Sequence, residues 1–280
     1  MNVVARVVTA PAPSRLTRPT GNAPGAQRRL RWAVVAGCFL AAGISGSAGA
    51  QLNSTVLTPQ RVDTKAWVDR LQSADRAARA GDWKAAGKAA KGVESEILEV
   101  AVSGEGLASV LAMAEMLRAV SAAGLGHERE AAWSYGVAQT LFPGYRDLDL
   151  SPYSAAAPVL ERARYQVETQ SPSSGGEAPN PSLPPTVPAR RKGGPQPRYP
   201  PAKRVACMTG PTAVAVIIGV DGRARHPEID PGSDPLFSLA ILRALAESTW
   251  EPARQDGHPV ESSLRTTVAF KLPQCGLAVH

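Results

Sequence analysis

A short run with proline near both ends, Gln196-Pro197-Arg198-Tyr199-Pro200, most constrains how this chain can fold. Proline lacks a backbone N–H and pushes the residue before it towards extended geometry, so the run cannot be helical. It introduces a segment, 200–272, whose pattern indicates a strand, a turn, a strand, a helix and a strand. The run is therefore predicted to be an extended arm that leads into a small α+β domain.

The elements of this domain are predicted from side-chain pattern and turn chemistry. In chain order they are a strand over 212–220, an Asp221-Gly222 turn, a strand over 223–229, a helix over 236–247, an Asp256-Gly257 turn and a strand over 264–272. The last strand alternates apolar and polar side chains, which is typical of a half-buried strand. The only tryptophan of the segment, Trp250, is expected to pack in the core.

This order of elements resembles the C-terminal domain of TonB, the periplasmic energy transducer of Gram-negative bacteria. The matching landmarks are Tyr199-Pro200, Asp221-Gly222-Arg223, Trp250-Glu251-Pro252 and Phe270-Lys271-Leu272. In that family the last strand offers its edge to a short segment of an outer-membrane receptor, which adds as a further strand. A motor-coupled TonB also carries a histidine in its transmembrane helix, whereas the apolar segment near this N-terminus has none.

The resemblance implies two sets of partner contacts. The arm would supply Gln196, Pro197, Tyr199 and Pro200, and the last strand would supply Arg265, Thr267, Ala269 and Lys271. A proline at Thr267 or at Ala269 removes one backbone donor. Of these two donors, we expect one to face the partner and the other the neighbouring strand. Changing Gln196 or Tyr199 to alanine is expected to weaken binding with little loss of stability.

Residues 59–168 are rich in alanine and carry apolar side chains at helical spacing, which predicts five helices. Small or aromatic residues and a final proline recur in the third and fourth helices, at Ala119, Gly126, Ala131, Tyr135, Ala138 and Pro143. This pair resembles a tetratricopeptide hairpin, in which small residues let two helices approach closely. A generic antiparallel bundle is the alternative, and neither arrangement implies catalysis.

The stretch 169–195 is dominated by proline, serine and glycine. Such a segment buries too little apolar surface to offset its ordering entropy, so a disordered linker is predicted. The predicted fold is therefore multidomain. An all-α, helical-hairpin (TPR-like) module over 51–168 precedes the linker, and a small α+β (ββαβ) TonB-like C-terminal domain over 196–280 follows it.

The first 50 residues hold six arginines and no lysine, aspartate or glutamate. A basic run, an apolar run over 32–44 and an Ala48-x-Ala50 motif together predict a signal peptide that is cleaved before Gln51. Export to the periplasm follows. Two alternatives remain open, namely an uncleaved inner-membrane anchor and lipid attachment at Cys38.

The formal net charge of +7 would favour nucleic-acid binding, but six of the 31 basic residues lie in the predicted leader. The remaining 25 are balanced by 24 acidic residues, so binding to nucleic acid is not predicted. A basic cluster precedes the C-terminal domain, at Arg190, Arg191, Lys192, Arg198, Lys203 and Arg204. It is interpreted either as a solvated linker end or as a contact with anionic lipid or an acidic partner.

Cysteine usage agrees with export, because Cys207 and Cys275 alone remain after cleavage. An even pair in an oxidising compartment favours a disulfide, and two free thiols are the alternative. The four histidines are scattered, and the sequence holds no nucleophile motif or phosphate loop. We therefore predict no catalytic residues, no metal and no cofactor.

These patterns predict a non-enzymatic protein–protein interaction protein of the cell envelope, which binds an envelope or outer-membrane partner by strand addition. Membrane contact is expected only through the N-terminal segment or the basic cluster. Two alternatives are an anchored TonB-type energy transducer that serves an outer-membrane receptor and an envelope lipoprotein or assembly factor.

Overall fold

The computed structural model describes residues 4–7, 64–103, 106–170 and 187–272. The predicted cleavage site, the lipid-attachment residue Cys38, residues 171–186 of the linker and Cys275 lie outside the described residues. The alternatives for the N-terminal segment and the domain boundaries therefore stay predictions.

Five α-helices form the helical region, as the sequence predicts. They are α1 (Thr64–Arg79), α2 (Trp83–Val100), α3 (Leu107–Gly124), α4 (Glu128–Leu141) and α5 (Ala157–Gln170). Two 3₁₀ turns, Pro143–Asp147 and Ser151–Ala156, join α4 to α5. The predicted stripe on α1 is buried, at Trp67, Leu71, Ala74 and Ala78, so helical periodicity correctly identified the inward face.

Helix α3 is the centre of the helical region and contacts α1, α2, α4 and α5. Within the part of the chain that the structure describes, it is the one helix long and apolar enough to cross a membrane. Most of α3 is buried by its neighbours, as in the core helix of a folded domain. Gly124 ends α3 against the ring of Trp83, where an added Cβ would lie 2.2 Å from a ring carbon. A small residue is needed there because the ring takes the space of a side chain.

The C-terminal domain contains the predicted strand, strand, helix and strand: β3 (Gly210–Ile218), β4 (Ala224–Ile229), α7 (Pro235–Ala246) and β8 (Ser262–Phe270). These elements confirm the α+β fold class. A short helix, α6 (Pro201–Val205), precedes β3. Four further strands accompany them, namely β2 (Arg190–Gly193), β5 (Thr249–Glu251), β6 (Ala253–Gln255) and β7 (His258–Val260).

Two small two-stranded sheets form in addition to the main sheet. One pairs β2 with β5, and the other pairs β6 with β7 across the predicted Asp256-Gly257 turn. Strand β2 falls at 190–193, which the sequence assigned to the linker. Its pairing with β5 places the end of that stretch on the folded domain.

The main sheet has the strand order β1-β8-β3-β4 with antiparallel neighbours, where β1 is Val4–Val7. The alternation predicted for β8 is confirmed, because Leu264, Thr266, Val268 and Phe270 are buried. Helix α7 covers the same face of the sheet with a largely buried apolar surface. Trp250 is 8% exposed and joins this core, as predicted.

The helical region packs directly on the C-terminal domain through α4 and β4. The Thr140 hydroxyl donates to the backbone carbonyl of Pro227 at 2.9 Å. Gly136 faces the same proline, since an added Cβ would lie 3.0 Å from its Cδ. A third contact, between the guanidinium of Arg243 on α7 and the carboxylate of Glu94 on α2, measures 2.5 Å.

Candidate partner-binding surface

The two sides of the main sheet differ in their ability to accept a further strand. On the β4 side, the pairing with β3 shifts register between Ala215 and Ile217, which is a β-bulge. His226 at this bulge has a positive φ of 48°, and the next residue, Pro227, has no N–H to donate. Helix α4 packs against the strand and satisfies the Pro227 carbonyl. Bulges, prolines and covering helices are the features that block strand addition.

The other side of the sheet is the outer edge of β8, and there a strand does add. Residues 4–7 pair with β8 in antiparallel register, with Val4 opposite Ala269, Ala5 opposite Val268, Arg6 opposite Thr267 and Val7 opposite Thr266. This stretch of β8 is the one that the resemblance assigns to a partner. The geometry of the edge therefore accommodates an extended backbone.

The backbone of β3 settles which β8 groups point outward. The carbonyl of Ala213 accepts from the N–H of Asp230, on the β4 side of the sheet, at 3.3 Å. Ala213 lies opposite Thr267, so Thr267 is not hydrogen-bonded to β3 and its N–H faces the outer edge. Ala269 is two residues further on and points the same way. The expectation that the donors of Thr267 and Ala269 face opposite sides is therefore wrong.

The β8 side chains predicted as contacts lie along this edge with different environments. Thr267 and Lys271 are exposed and Ala269 is half-buried. Arg265 is also exposed and donates to both carboxylate oxygens of Asp230 at 2.7 Å. Along β8, exposed side chains alternate with side chains that are buried in the core. A partner strand would therefore lie beside the exposed ones.

The arm residues do not form one exposed surface. Gln196 is exposed and Pro197 is half-buried, while Pro200 is buried at the start of α6. Tyr199 packs edge-on against the rings of Phe237 and Phe270, with ring centroids 5.5 and 5.3 Å away.

The hydroxyl of Tyr199 donates to the backbone carbonyl of Met208, and burial raises the pKa of this tyrosine. Tyr199 is thus half-buried and packs against the domain core. The expectation that it could be removed with little loss of stability is not supported by these contacts.

The predicted basic cluster is split by the fold. Lys203 is fully buried and its ammonium group donates to the carboxylate of Asp234. The Arg191 guanidinium donates to the Ser248 hydroxyl at 3.0 Å. All members of the cluster other than Lys203 are exposed, Arg191 included. Lys203 is therefore a structural cation rather than part of a surface for lipid or an acidic partner.

Cys207 is disulfide-bonded, and its partner lies outside the described residues. Pairing with Cys275 stays a prediction. No group of three potential metal ligands occurs among the residues that the structure describes.

Sequence reasoning missed a buried group of charges at the contact between the helical region and the C-terminal domain. Glu94 on α2 and Glu115 on α3 are fully buried glutamates, at 0% and 1% exposure. Glu94 continues the apolar stripe of Ala90, Val93 and Ile97. The sequence could have revealed Glu94, because a charged residue at a position of an otherwise apolar helix stripe is unusual.

The C-terminal domain is thus a small α+β domain whose main sheet has one blocked edge and one edge on which a further strand adds. Residues 195–272 match the family model described as Gram-negative bacterial TonB protein C-terminal, which confirms the predicted resemblance for this part of the chain. Comparison with curated proteins and with solved structures found no match. The match supports a TonB-like cell-envelope protein with a protein partner, in a family whose domain is a non-enzymatic interaction module.

Proposed function

We propose that this chain is a periplasmic protein–protein interaction protein whose C-terminal domain binds an extended segment of an envelope or outer-membrane partner by strand addition to β8. The observation that carries the proposal is the pairing of residues 4–7 with Thr266–Ala269, on the one edge that is not blocked. Cleavage before Gln51, as the sequence predicts, would remove that strand and leave the edge for a partner.

Backbone groups supply the recognition in this proposal. The outward N–H and C=O groups of Thr267 and Ala269 are the donors and acceptors, and each net hydrogen bond stabilises by about 0.5–1.5 kcal/mol. Because backbone groups are common to all residues, the partner needs extended geometry more than a particular sequence. Side chains such as Lys271 would add preference for a partner of suitable charge.

Site-specific crosslinking in intact envelopes tests the proposal. A photo-crosslinking residue at exposed Ser263, on the same strand, would capture a partner that lies along β8. Thr267→Pro removes an outward donor and should weaken capture, by up to about tenfold for one lost hydrogen bond, whereas Thr267→Ala keeps the donor and should retain capture. Circular dichroism of each variant checks that the domain is folded. Equal capture by a folded Thr267→Pro protein would contradict strand addition at this edge.

A further inference from the structure

A cleft of about 760 Å³ lies where the helical region meets the C-terminal domain. We call it the junction cleft, and its walls come mainly from residues 91–95 of α2, 129–137 of α4 and 239–247 of α7. Its volume is within the roughly 300–1,000 Å³ that is typical of ligand sites. Among the described residues, none that lines it belongs to β8. The junction cleft is therefore a surface separate from the sheet edge that accepts a strand.

Two helices each turn an apolar stripe towards the junction cleft. Spacings of three and four residues place side chains on one side of a helix. The stripes consist of Trp133 and Val137 on α4, and of Leu239, Leu242 and Ala246 on α7. Most of these side chains are buried, whereas Trp133 is half-buried and keeps part of its surface accessible. The cleft thus has an apolar lining with an aromatic side chain of the type that recurs in binding hot spots.

Three cations that line the junction cleft have no acidic partner. Lys91 on α2 and Arg129 on α4 are exposed, and Arg223, just before β4, is half-buried. None of the three forms an ion pair with another described residue. Because they come from three different elements, the cleft presents its positive charge at several separate points.

Most of the acidic groups at the junction cleft already have partners. Glu128 lies 2.5 Å from Arg162, and Glu130 lies 3.6 Å from Arg118. Glu247 is exposed and forms no ion pair within the described part of the chain. The unpaired charges at the cleft are therefore positive in excess, which favours an anionic ligand.

Arg243 on α7 is a further cation that lines the junction cleft. Its guanidinium lies 2.5 Å from the buried carboxylate of Glu94, but none of its N–H groups donates a hydrogen bond to a described residue. Glu115 lies beside Glu94, and burial together with the Glu94 charge raises the pKa of Glu115 to about 8. At neutral pH Glu94 alone therefore faces the charges of Arg118 and Arg243. A guanidinium with free N–H groups can donate two parallel hydrogen bonds to an incoming carboxylate.

We propose that the junction cleft binds an acidic segment of a partner protein, whose carboxylates contact the unpaired cations and whose apolar side chain packs against Trp133. Charge complementarity determines the choice of occupant. Cations at several separate points suit a peptide with more than one carboxylate, whereas a fatty acid carries a single charge. This site does not depend on strand addition to β8, and a ligand in it contacts both the helical region and the C-terminal domain.

Isothermal titration calorimetry of the full chain with the peptide acetyl-Glu-Leu-Leu-Glu-amide tests the proposal. The matched peptide acetyl-Gln-Leu-Leu-Gln-amide has the same apolar side chains and no charge. The acidic peptide should bind about fivefold more tightly or better, because each exposed ion pair contributes a small gain. The difference should shrink as salt is added, since salt screens exposed charges.

Variants locate the binding on the cleft. Lys91→Gln combined with Arg129→Gln removes two exposed cations and should weaken the acidic peptide about fivefold while the glutamine peptide is unaffected. Lys84→Gln, an exposed change on α2 outside the cleft, is the matched control and should behave as wild type. Trp133→Leu should weaken both peptides. Circular dichroism and urea denaturation check that each variant is folded.

Four results would overturn the proposal. The first is no binding of the acidic peptide to the wild-type chain, and the second is equal binding of the two peptides. The third is an unchanged affinity in the folded double variant, because the peptide would then bind elsewhere, the β8 edge included. The fourth is tighter binding of laurate, a fatty-acid anion, than of the acidic peptide, which would make the cleft a lipid site.

Discussion

The buried ammonium group of Lys203 binds the carboxylate of Asp234, and that same carboxylate caps helix α7. It accepts from the backbone N–H groups of Leu236 and Phe237 at 3.0 and 3.1 Å. The ammonium also lies 5.1 Å from the centre of the Phe237 ring. One aspartate therefore satisfies both a buried cation and the first turn of the helix that covers the sheet.

Asp234→Ala should lower the free energy of unfolding by about 3–5 kcal/mol, because it leaves the Lys203 charge buried without a carboxylate. Urea denaturation of the full chain measures this change. Asp230→Ala is the matched control in the same loop. Its bond to Arg265 is solvent-exposed, and exposed ion pairs contribute about 0–1 kcal/mol. Equal losses in the two variants would contradict the structural role of Lys203.

Tyr199→Ala should destabilise the C-terminal domain by about 2–3 kcal/mol, since it removes two aromatic contacts and leaves a gap beside Phe237 and Phe270. Gln196→Ala, on the exposed part of the arm, should change stability by less than about 0.5 kcal/mol. Thermal or urea unfolding of both variants checks the difference. A Tyr199→Ala protein as stable as wild type would place this side chain outside the core.

Gly124→Ala should destabilise the helical region by about 1–3 kcal/mol, because the new methyl group meets the Trp83 ring. Gly92 on α2 is a matched helical glycine with no atom within 4 Å of an added Cβ. Gly92→Ala should stabilise by up to about 1 kcal/mol through helix propensity. Urea denaturation should therefore show a lower free energy of unfolding for Gly124→Ala and a higher one for Gly92→Ala. A stabilised Gly124→Ala protein would contradict the close approach of Gly124 to the Trp83 ring.

The contribution of Glu115 to the free energy of unfolding should fall as the pH rises from about 4.5 to 8, and it should then level off. In this window the unfolded chain has lost the Glu115 proton while the folded chain retains it, so higher pH favours unfolding. Glu115→Gln should flatten this part of the profile. Urea denaturation at pH 5.5 and 8 measures it, and identical slopes for both proteins would show that Glu115 is not the group responsible.

Local pattern predicted most of the fold, and tertiary contacts account for what it missed. The α1 stripe, the Asp221-Gly222 turn and the alternation of β8 are periodic or turn signals that survive in the structure. Strand β2 was missed because its four residues are held by pairing with β5 rather than by their own pattern. The burial of Lys203 depends on Asp234, which lies 31 residues away, and no local rule links them.

The candidate site was predicted in outline only. The β8 residues were identified through the family resemblance, whereas the outward direction of Thr267 required the register with β3. The environment of Tyr199 was not predicted from the sequence. A tyrosine beside two prolines suggests an exposed arm, and its packing is evident only from the folded positions of Phe237 and Phe270.

The bulge at His226 and Pro227 has a consequence for how copies of this chain can assemble. Two copies that meet through their β8 edges would form one continuous sheet with a blocked β4 strand at each end. Such a pair is closed, since neither end offers a template for a third copy. Strand addition through this sheet would therefore stop at two copies, so an edge that is open to a partner would not by itself lead to a fibre.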